Sequence, residues 1–386
     1  MSSRPPQNAG IFPREPLEAS SVVKFSLPSL SFNSNSIVGL DIGSSMVKAV
    51  ELSLKNKGRD FDLTHLGVAK LPSESIVQGA FLNSSAIIDT VREAIDNAKI
   101  RTKNVAVAVS GHSVIVKKVN LPVMSRDELD EQIRWEAEQY IPFDVNEVNL
   151  DFQILNDGES EESGGQMGVL LVAAKKDLID DYVQVITEAG LVPAVVDVAS
   201  FAVENAFTSN YESAPEDVVA LVNIGAEVVN INILADGIPA FTRDITTAGN
   251  QYTEEIQKAL SVTFDEAERI KLGGRAQDES QDVVPQEVEQ AMQAVSETVI
   301  GEISRSLDFF GATTADSNIG RVVLSGGGAK VAGFEKAFHE RTGLPVEIMN
   351  PFSRMVPSSK FEPEFLEEMG PALGVSVGLA MRRVSS

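Results

Sequence analysis

Ile37-Val-Gly-Leu-Asp41-Ile-Gly43-Ser44-Ser45-Met-Val-Lys48-Ala-Val-Glu-Leu52 is an apolar run, a small-residue turn and an alternating run. The pattern on either side of Gly43-Ser44-Ser45 predicts two antiparallel strands. Glycine lets the backbone approach a ligand closely, and the amides and hydroxyls of such a turn can converge on an anion. Asp41 closes the first run, where a carboxylate can hold a hydrated Mg2+. Taken alone, Asp-Ile-Gly-Ser reads first as a plain hairpin turn.

A second copy changes that weighting. Val218-Val-Ala-Leu-Val-Asn223-Ile-Gly225-Ala-Glu227-Val-Val-Asn-Ile-Asn-Ile-Leu234 overlays the first stretch at a constant offset of 182 residues. Asp41 then meets Asn223, Gly43 meets Gly225, Ser45 meets Glu227 and Lys48 meets Asn230. Two strand–turn–strand units half a chain apart predict two related domains facing one cleft, each turn holding part of a polyphosphate.

At 386 residues the chain has room for two or three domains. No apolar run approaches the roughly 20 residues needed to span a bilayer, and the Pro- and Arg-bearing N-terminus lacks the apolar segment of a secretory signal. The absence of cysteine excludes disulfides and thiolate metal sites, which suits a cytoplasmic protein. A net charge of −24 disfavours nucleic acid and anionic lipid as partners and favours a basic peptide. His65, His112 and His339 are dispersed without ligand spacing, so no metal site is expected from them.

Residues 1–35 read as a flexible extension. After the first hairpin, Phe61–Ala69 alternates as a strand, Ser84–Lys99 as an amphipathic helix, and Asn104–Val109 and Ser113–Val119 as further strands of a mixed α/β layer. Ser125-Arg-Asp-Glu128 is a capping box before a helix over Asp127–Tyr140, stopped by Pro142. Trp135 in that helix is expected to pack in the core, with a partner groove as the second reading. Strands at Val148–Leu155 and Gly168–Ala174, separated by an acidic loop, and a helix from Asp177 to Gly190 complete an insertion of about 70 residues, the size of a small domain. Beyond the second hairpin come helices at Asn250–Leu260 and Phe264–Leu272, a polar loop over 273–286 and a long helix, Gln286–Phe310. Arg321–Ser325 then runs into Gly326-Gly327-Gly328, whose consecutive glycines allow a backbone contact with a flat ring or a phosphate. Gly370–Arg383 reads as a small-residue helix returning to the first domain.

The order hairpin, insertion, hairpin, helical lid and Ser-Gly-Gly-Gly resembles the actin, Hsp70 and sugar-kinase superfamily. The opening Val-Gly-Leu-Asp-Ile-Gly-Ser-Ser, the helix ending Trp135-Glu-Ala-Glu-Gln-Tyr-Ile-Pro-Phe and the Gly190-Leu-Val-Pro-Ala-Val-Val-Asp197 turn narrow it to the PilM family, actin-like and FtsA-related proteins of type IV pilus assembly. The resemblance covers residues 36–386. It implies an α/β actin-like ATPase fold, with duplicated ribonuclease H-like domains around a nucleotide cleft and an FtsA-type inserted subdomain. The implied boundaries are 36–120 with 191–217 and 364–386 for the first domain, 121–190 for the insertion, 218–250 with 311–363 for the second domain and 251–310 for a helical nucleotide-capping subdomain.

The same resemblance implies ATP and Mg2+ as ligands. Asp41, Gly43, Ser44, Ser45 and Lys48 would bracket the phosphates with Gly225 and Ala226, Asp41 also serving the metal. Glu268 and Lys271 would reach the ribose and adenine, with Gly326, Gly327 and Gly328 under the base. Two departures bear on hydrolysis. Asn223 stands where many relatives have an aspartate, and Ala199 occupies the expected place of a water-orienting acid, leaving Asp197 as the nearest catalytic carboxylate. The implied partners are the cytoplasmic N-terminal tail of PilN, docking between the first domain and the insertion, and other pilus assembly-platform and motor proteins. Location would be cytoplasmic, at the inner membrane through partners only. The fold also permits a homo-oligomer. A sugar kinase of the same superfamily and a filament-forming cytoskeletal ATPase are the alternatives; sugar-stimulated turnover would mark the first and filaments by electron microscopy the second.

Overall fold

The computed structural model describes residues 36–55, 60–156, 165–214, 216–272, 286–314, 318–357 and 360–382. The expected N-terminal extension and most of the polar loop over 273–286 lie outside them. The chain opens with β1 (Val38–Ile42), β2 (Met46–Lys55) and β3 (Asp60–Lys70), then a short hairpin of β4 (Ile76–Val77) and β5 (Ala80–Phe81), helix α1 (Ser84–Ala98) and β6 (Asn104–Val109). Next come β7 (Val114–Pro122), α2 (Arg126–Ala137), β8 (Val148–Asn156), β9 (Gln166–Lys175), α3 (Lys176–Glu188), β10 (Val192–Val198) and α4 (Ala199–Asn210). The second half runs β11 (Val218–Ile224), β12 (Val229–Ala235), β13 (Ile238–Ile245), α5 (Gly249–Leu260), α6 (Phe264–Lys271), α7 (Gln286–Thr313), β14 (Arg321–Ser325) and α8 (Phe334–Thr342). It closes with β15 (Val346–Ile348), β16 (Val356–Pro357), α9 (Pro363–Met369) and α10 (Gly374–Ala380).

Two mixed sheets organise these elements. One has the order β10-β6-β1-β2-β3-β16, the other β13-β12-β11-β14-β15. Central strands bury both faces, which explains their near-continuous apolar sequence. On β6, Val105, Val107 and Val109 join the core under α1 and α3, while Ala106 and Ala108 point the other way. That other face meets a core shared between the sheets. There α4 (Ala202, Val203, Ala206, Phe207) and α10 (Val375, Val377, Leu379) are packed between the first sheet and Val219, Leu221 and Val323 of the second. The expected return of the C-terminal segment onto the first domain is therefore observed. Its small residues are what allow it, since a Cβ on Gly378 would lie 1.7 Å from the Ala202 carbonyl oxygen and one on Gly39 of β1 would lie 1.9 Å from that of Ser376.

Three elements differ from expectation. The strand at Ser113–Val119, read as part of the first sheet, is β7 and pairs antiparallel with β9 in a separate three-stranded sheet, β7-β9-β8. Its place beside β6 is taken by β10, read from sequence as a turn; the ladder absorbs Pro193 with a register shift between Pro193 and Val195 on the sheet's edge strand. Helix α3 buries Ile179, Tyr182, Val185 and Ile186 in the core of the first sheet, whereas the inserted sheet packs with α2 around Leu129, Ile133, Phe152 and Val169. The capping box before α2 is formed as expected: Ser125 Oγ accepts the Glu128 amide at 3.3 Å and Glu128 Oε2 accepts that of Ser125 at 2.8 Å.

Candidate functional site

The duplication seen as a sequence offset is also a duplication of register. Asp41 lies opposite Lys48 across β1 and β2, and Asn223 lies opposite Asn230 across β11 and β12. Each turn is closed by the same bond: the Gly43 N–H donates to the Met46 carbonyl at 3.1 Å, and the Gly225 N–H to that of Val228 at 2.9 Å. The cross-strand pairs differ in charge and in the direction of their hydrogen bond. Lys48 Nζ donates to Asp41 Oδ2 at 2.8 Å, both side chains being less than one-fifth exposed; Asn223 Nδ2 donates to Asn230 Oδ1 at 3.0 Å. The ion pair holds the Asp41 carboxylate at the end of its strand, in place to accept a metal's water ligands.

The second half has its own carboxylate after all, one strand further over. Asp244 on β13 lies opposite Asn230, the position held in the first half by Val68 opposite Lys48. Its Oδ1 accepts Asn230 Nδ2 at 2.8 Å. Its Oδ2 accepts the Gly111 amide, from the chain between β6 and β7, at 2.5 Å. Burial raises the Asp244 carboxyl above the ordinary range, and the Asn230 and Gly111 donors hold part of that rise down. Sequence reading missed Asp244 because β13, an edge strand with Pro239 and weak alternation, was not recognised, and because the 182-residue offset ends with the hairpin: Asp244 lies 176 residues beyond its counterpart Val68.

Glu227, in the place of Ser45, reaches across to the first half. The Gln78 and Gly79 amides donate to its carboxylate, and they partly offset the upward push of burial on its pKa. Both donors have left-handed backbone, φ 51° and 80°, the geometry of the two-residue turn that joins β4 to β5. Thr242 Oγ1 of β13 donates to the Val116 carbonyl of β7 at 3.2 Å, and Lys70 Nζ approaches Asp265 Oδ1 at 3.5 Å. These contacts close the two halves on each other.

On the side assigned to the nucleoside, Glu268 and Lys271 pair at 2.6 Å on α6. Thr253 Oγ1 donates to Glu268 Oε2 at 2.6 Å and Lys271 Nζ to the Gly249 carbonyl at 3.3 Å. Gly249 and Asn250 in turn donate their amides to the carbonyls of Gly225 and Ala226, at 3.0 and 2.6 Å. The structure thus ties Gly225, Ala226, Glu268 and Lys271 to one another around the second turn. The three glycines have different jobs. A Cβ on Gly326 or Gly328 would lie 2.2 or 2.3 Å from Ile224, so those two are required by packing against the second hairpin. Gly327 is exposed, with open space over its Cα.

A family profile described as type IV pilus assembly protein PilM matches residues 39–384. The chain belongs to the PilM family. Among solved structures, a PilM-PilN type IV pilus biogenesis complex aligns with a TM-score of 0.80 at 30% identity, covering 91% of this chain and 99% of that one. Cell division protein FtsA of Bacillus subtilis (strain 168) is 24% identical over 340 residues, 78% of this chain and 75% of that protein. The ethanolamine utilization protein EutJ of Carboxydothermus hydrogenoformans shares the fold, with a TM-score of 0.53 at 16% identity, covering 93% and 92%. The actin-like fold and the FtsA relation expected from the sequence are therefore both shown.

Two residues of this PilM-family chain sit elsewhere than the sequence suggested. Asp197 has no exposed side-chain surface and both its oxygens are taken: Oδ2 by Arg382 Nε at 2.6 Å and Oδ1 by the Val198 amide at 2.8 Å. That buries it in an ion pair with the segment that follows α10. Trp135, expected in the core, is 76% exposed. The reason is helical period: Leu129, Ile133 and Ala137 face inward, and position 135, two residues from 133, turns to the opposite face.

Proposed function

We propose that this chain is a nucleotide-held scaffold of the type IV pilus assembly platform, taking MgATP between its two hairpins and the cytoplasmic tail of PilN against its insertion. The observation that carries the reading is the whole-length likeness to a PilM-PilN complex at 30% identity. The residues fit the ligand. Asp41, held by Lys48, would order the Mg2+ hydration shell, with Lys48 near the phosphates; Gly43, Ser44, Ser45, Gly225 and Ala226 form turns with close backbone access; exposed Gly327 offers its face to the base, and Glu268 and Lys271 would serve the ribose side. MgATP supplies the charge and length that bind one hairpin to the other.

Turnover is expected to be slow. Asn223 cannot act as a base, and Asp197 is engaged by Arg382. Binding, rather than hydrolysis, then sets the closed state, and closure favours the partner only as far as the partner binds the two states differently. Other platform and motor proteins are further partners in this reading. Among the described residues no helix is long and apolar enough to cross a membrane, and contact with the inner membrane is assigned to PilN. Isothermal titration of MgATP, then of a PilN-tail peptide with and without nucleotide, tests this. The expected result is ATP binding and a peptide affinity that rises with it; equal peptide affinity in the two conditions removes the coupling.

A further inference from the structure

Four hydrogen bonds run in series from the glycine turn to the start of the inserted sheet. Ser325 Oγ donates to Asn223 Oδ1 at 3.3 Å, Asn223 Nδ2 to Asn230 Oδ1 at 3.0 Å, and Asn230 Nδ2 to Asp244 Oδ1 at 2.8 Å. From the far side the Gly111 N–H donates to Asp244 Oδ2 at 2.5 Å.

The direction of this series is dictated by its end. An ionised carboxylate only accepts, so Asn230 must turn its amide nitrogen to Asp244 and its oxygen to Asn223. Asn223 must then present its nitrogen to Asn230 and its oxygen to Ser325. Bonds aligned this way polarise and strengthen one another. Asp244 therefore sets the orientation of the side chain that stands in the second turn where Asp41 stands in the first.

The other end of the series is a joint. Gly111 has φ +88°, open space where a Cβ would be, and lies three residues before β7, the edge of the inserted sheet. Thr242, two residues from Asp244 on the same strand, bonds to Val116 within β7. The second half thus grips the entrance to the insertion at two adjacent points, and only one of them continues into the second turn. When the halves separate, the Gly111 bond breaks and Asp244 is hydrated; when they close, Asp244 regains a partner on each side. That is a two-state contact which a ligand on the second turn can bias.

We propose that Asp244 is the positioning residue through which occupancy of the second turn reaches Gly111 and β7, and so the inserted sheet. This rests on the reading that nucleotide binds between the hairpins.

The test is hydrogen exchange on the full chain with and without saturating MgATP, with binding followed in parallel by titration calorimetry. In the wild type, nucleotide is expected to slow exchange at Gly111 and across Val114–Pro122 by about tenfold. Asp244→Ala removes both acceptor oxygens, so both of its bonds are lost; at saturating MgATP its Gly111 and β7 exchange should no longer respond. Bound nucleotide with no change at Gly111 and β7 in the wild type overturns the relay without needing any variant. A full response in Asp244→Ala overturns it too. A wild type that binds no nucleotide instead defeats the functional reading, and the relay with it.

Discussion

Glu204 and Asp197 are the acids of the hinge, and their neighbours decide what each does. Arg382 holds Asp197 at 2.6 Å, while Glu204 Oε2 has Asn232 Nδ2 of β12 at 2.9 Å. Burial pushes the Glu204 carboxyl up to about 7; the Asn232 bond and the Arg382 charge pull against that push, and Asp197 adds to it. Since the unfolded value is near 4.5, the native state binds the extra proton between those limits. Stability should then be highest below about pH 4.5 on this account and fall as pH rises to about 7. Part of Glu204 still meets solvent, so the loss is discounted to about 2 kcal/mol. Urea titrations at several pH values should show this slope in the wild type and not in Glu204→Gln; parallel curves would refute the assignment. Asp41 calls for a different variant. Asp41→Asn leaves Lys48 an acceptor and the fold intact, but removes the charge, and MgATP affinity should drop about tenfold or more. Unaltered affinity by calorimetry would remove Asp41 from the metal site.

At the scale of elements, α10 is where sequence and structure agree most directly. Gly374-Val-Ser-Val-Gly-Leu-Ala380 alternates small and branched residues because it must approach β1 and α4 almost backbone to backbone. With a Cβ at 378 only 1.7 Å from a main-chain oxygen of α4, Gly378→Ala cannot be relieved by turning a side chain. It should cost about 1–3 kcal/mol in urea unfolding, and a cost below 0.5 kcal/mol, the usual surface effect, would contradict this packing. Periodic elements of this kind were legible: both hairpins, α1, the capped α2 and α7. The turn residues of the site were legible for the same reason, since a strand–glycine–strand pattern repeats at fixed register. β10 and β13 were not, because each carries a proline and lies at a sheet edge, where alternation is weak. Missing β13 meant missing Asp244. Trp135 was misjudged by residue type, though the period of its own helix already turned it outward.

For the whole molecule, closure rests on a few polar contacts over a cleft and one apolar hinge. The hinge core is continuous through both sheets and holds the halves together. The mouth is held by weaker means. Lys70–Asp265 is an exposed pair at 3.5 Å and contributes little. Glu227 is different, because its carboxylate is part-buried and taken by two main-chain amides whose direction the β4–β5 turn fixes. Charge-assisted bonds to backbone amides are the strong kind. Glu227→Ala should therefore leave the unfolding midpoint nearly unchanged, as the hinge and cores are untouched, while shifting the free protein toward open forms. A ligand that needs the closed form then binds in proportion to the fraction closed. The expected signs are a larger radius of gyration by solution scattering in the free variant, recovery of the wild-type value at saturating MgATP, and an ATP affinity lower by about tenfold. Identical scattering and affinity in the two proteins would show that the hinge and the Asp244–Gly111 and Thr242–Val116 bonds suffice for closure and that Glu227 is only a passenger on the second turn.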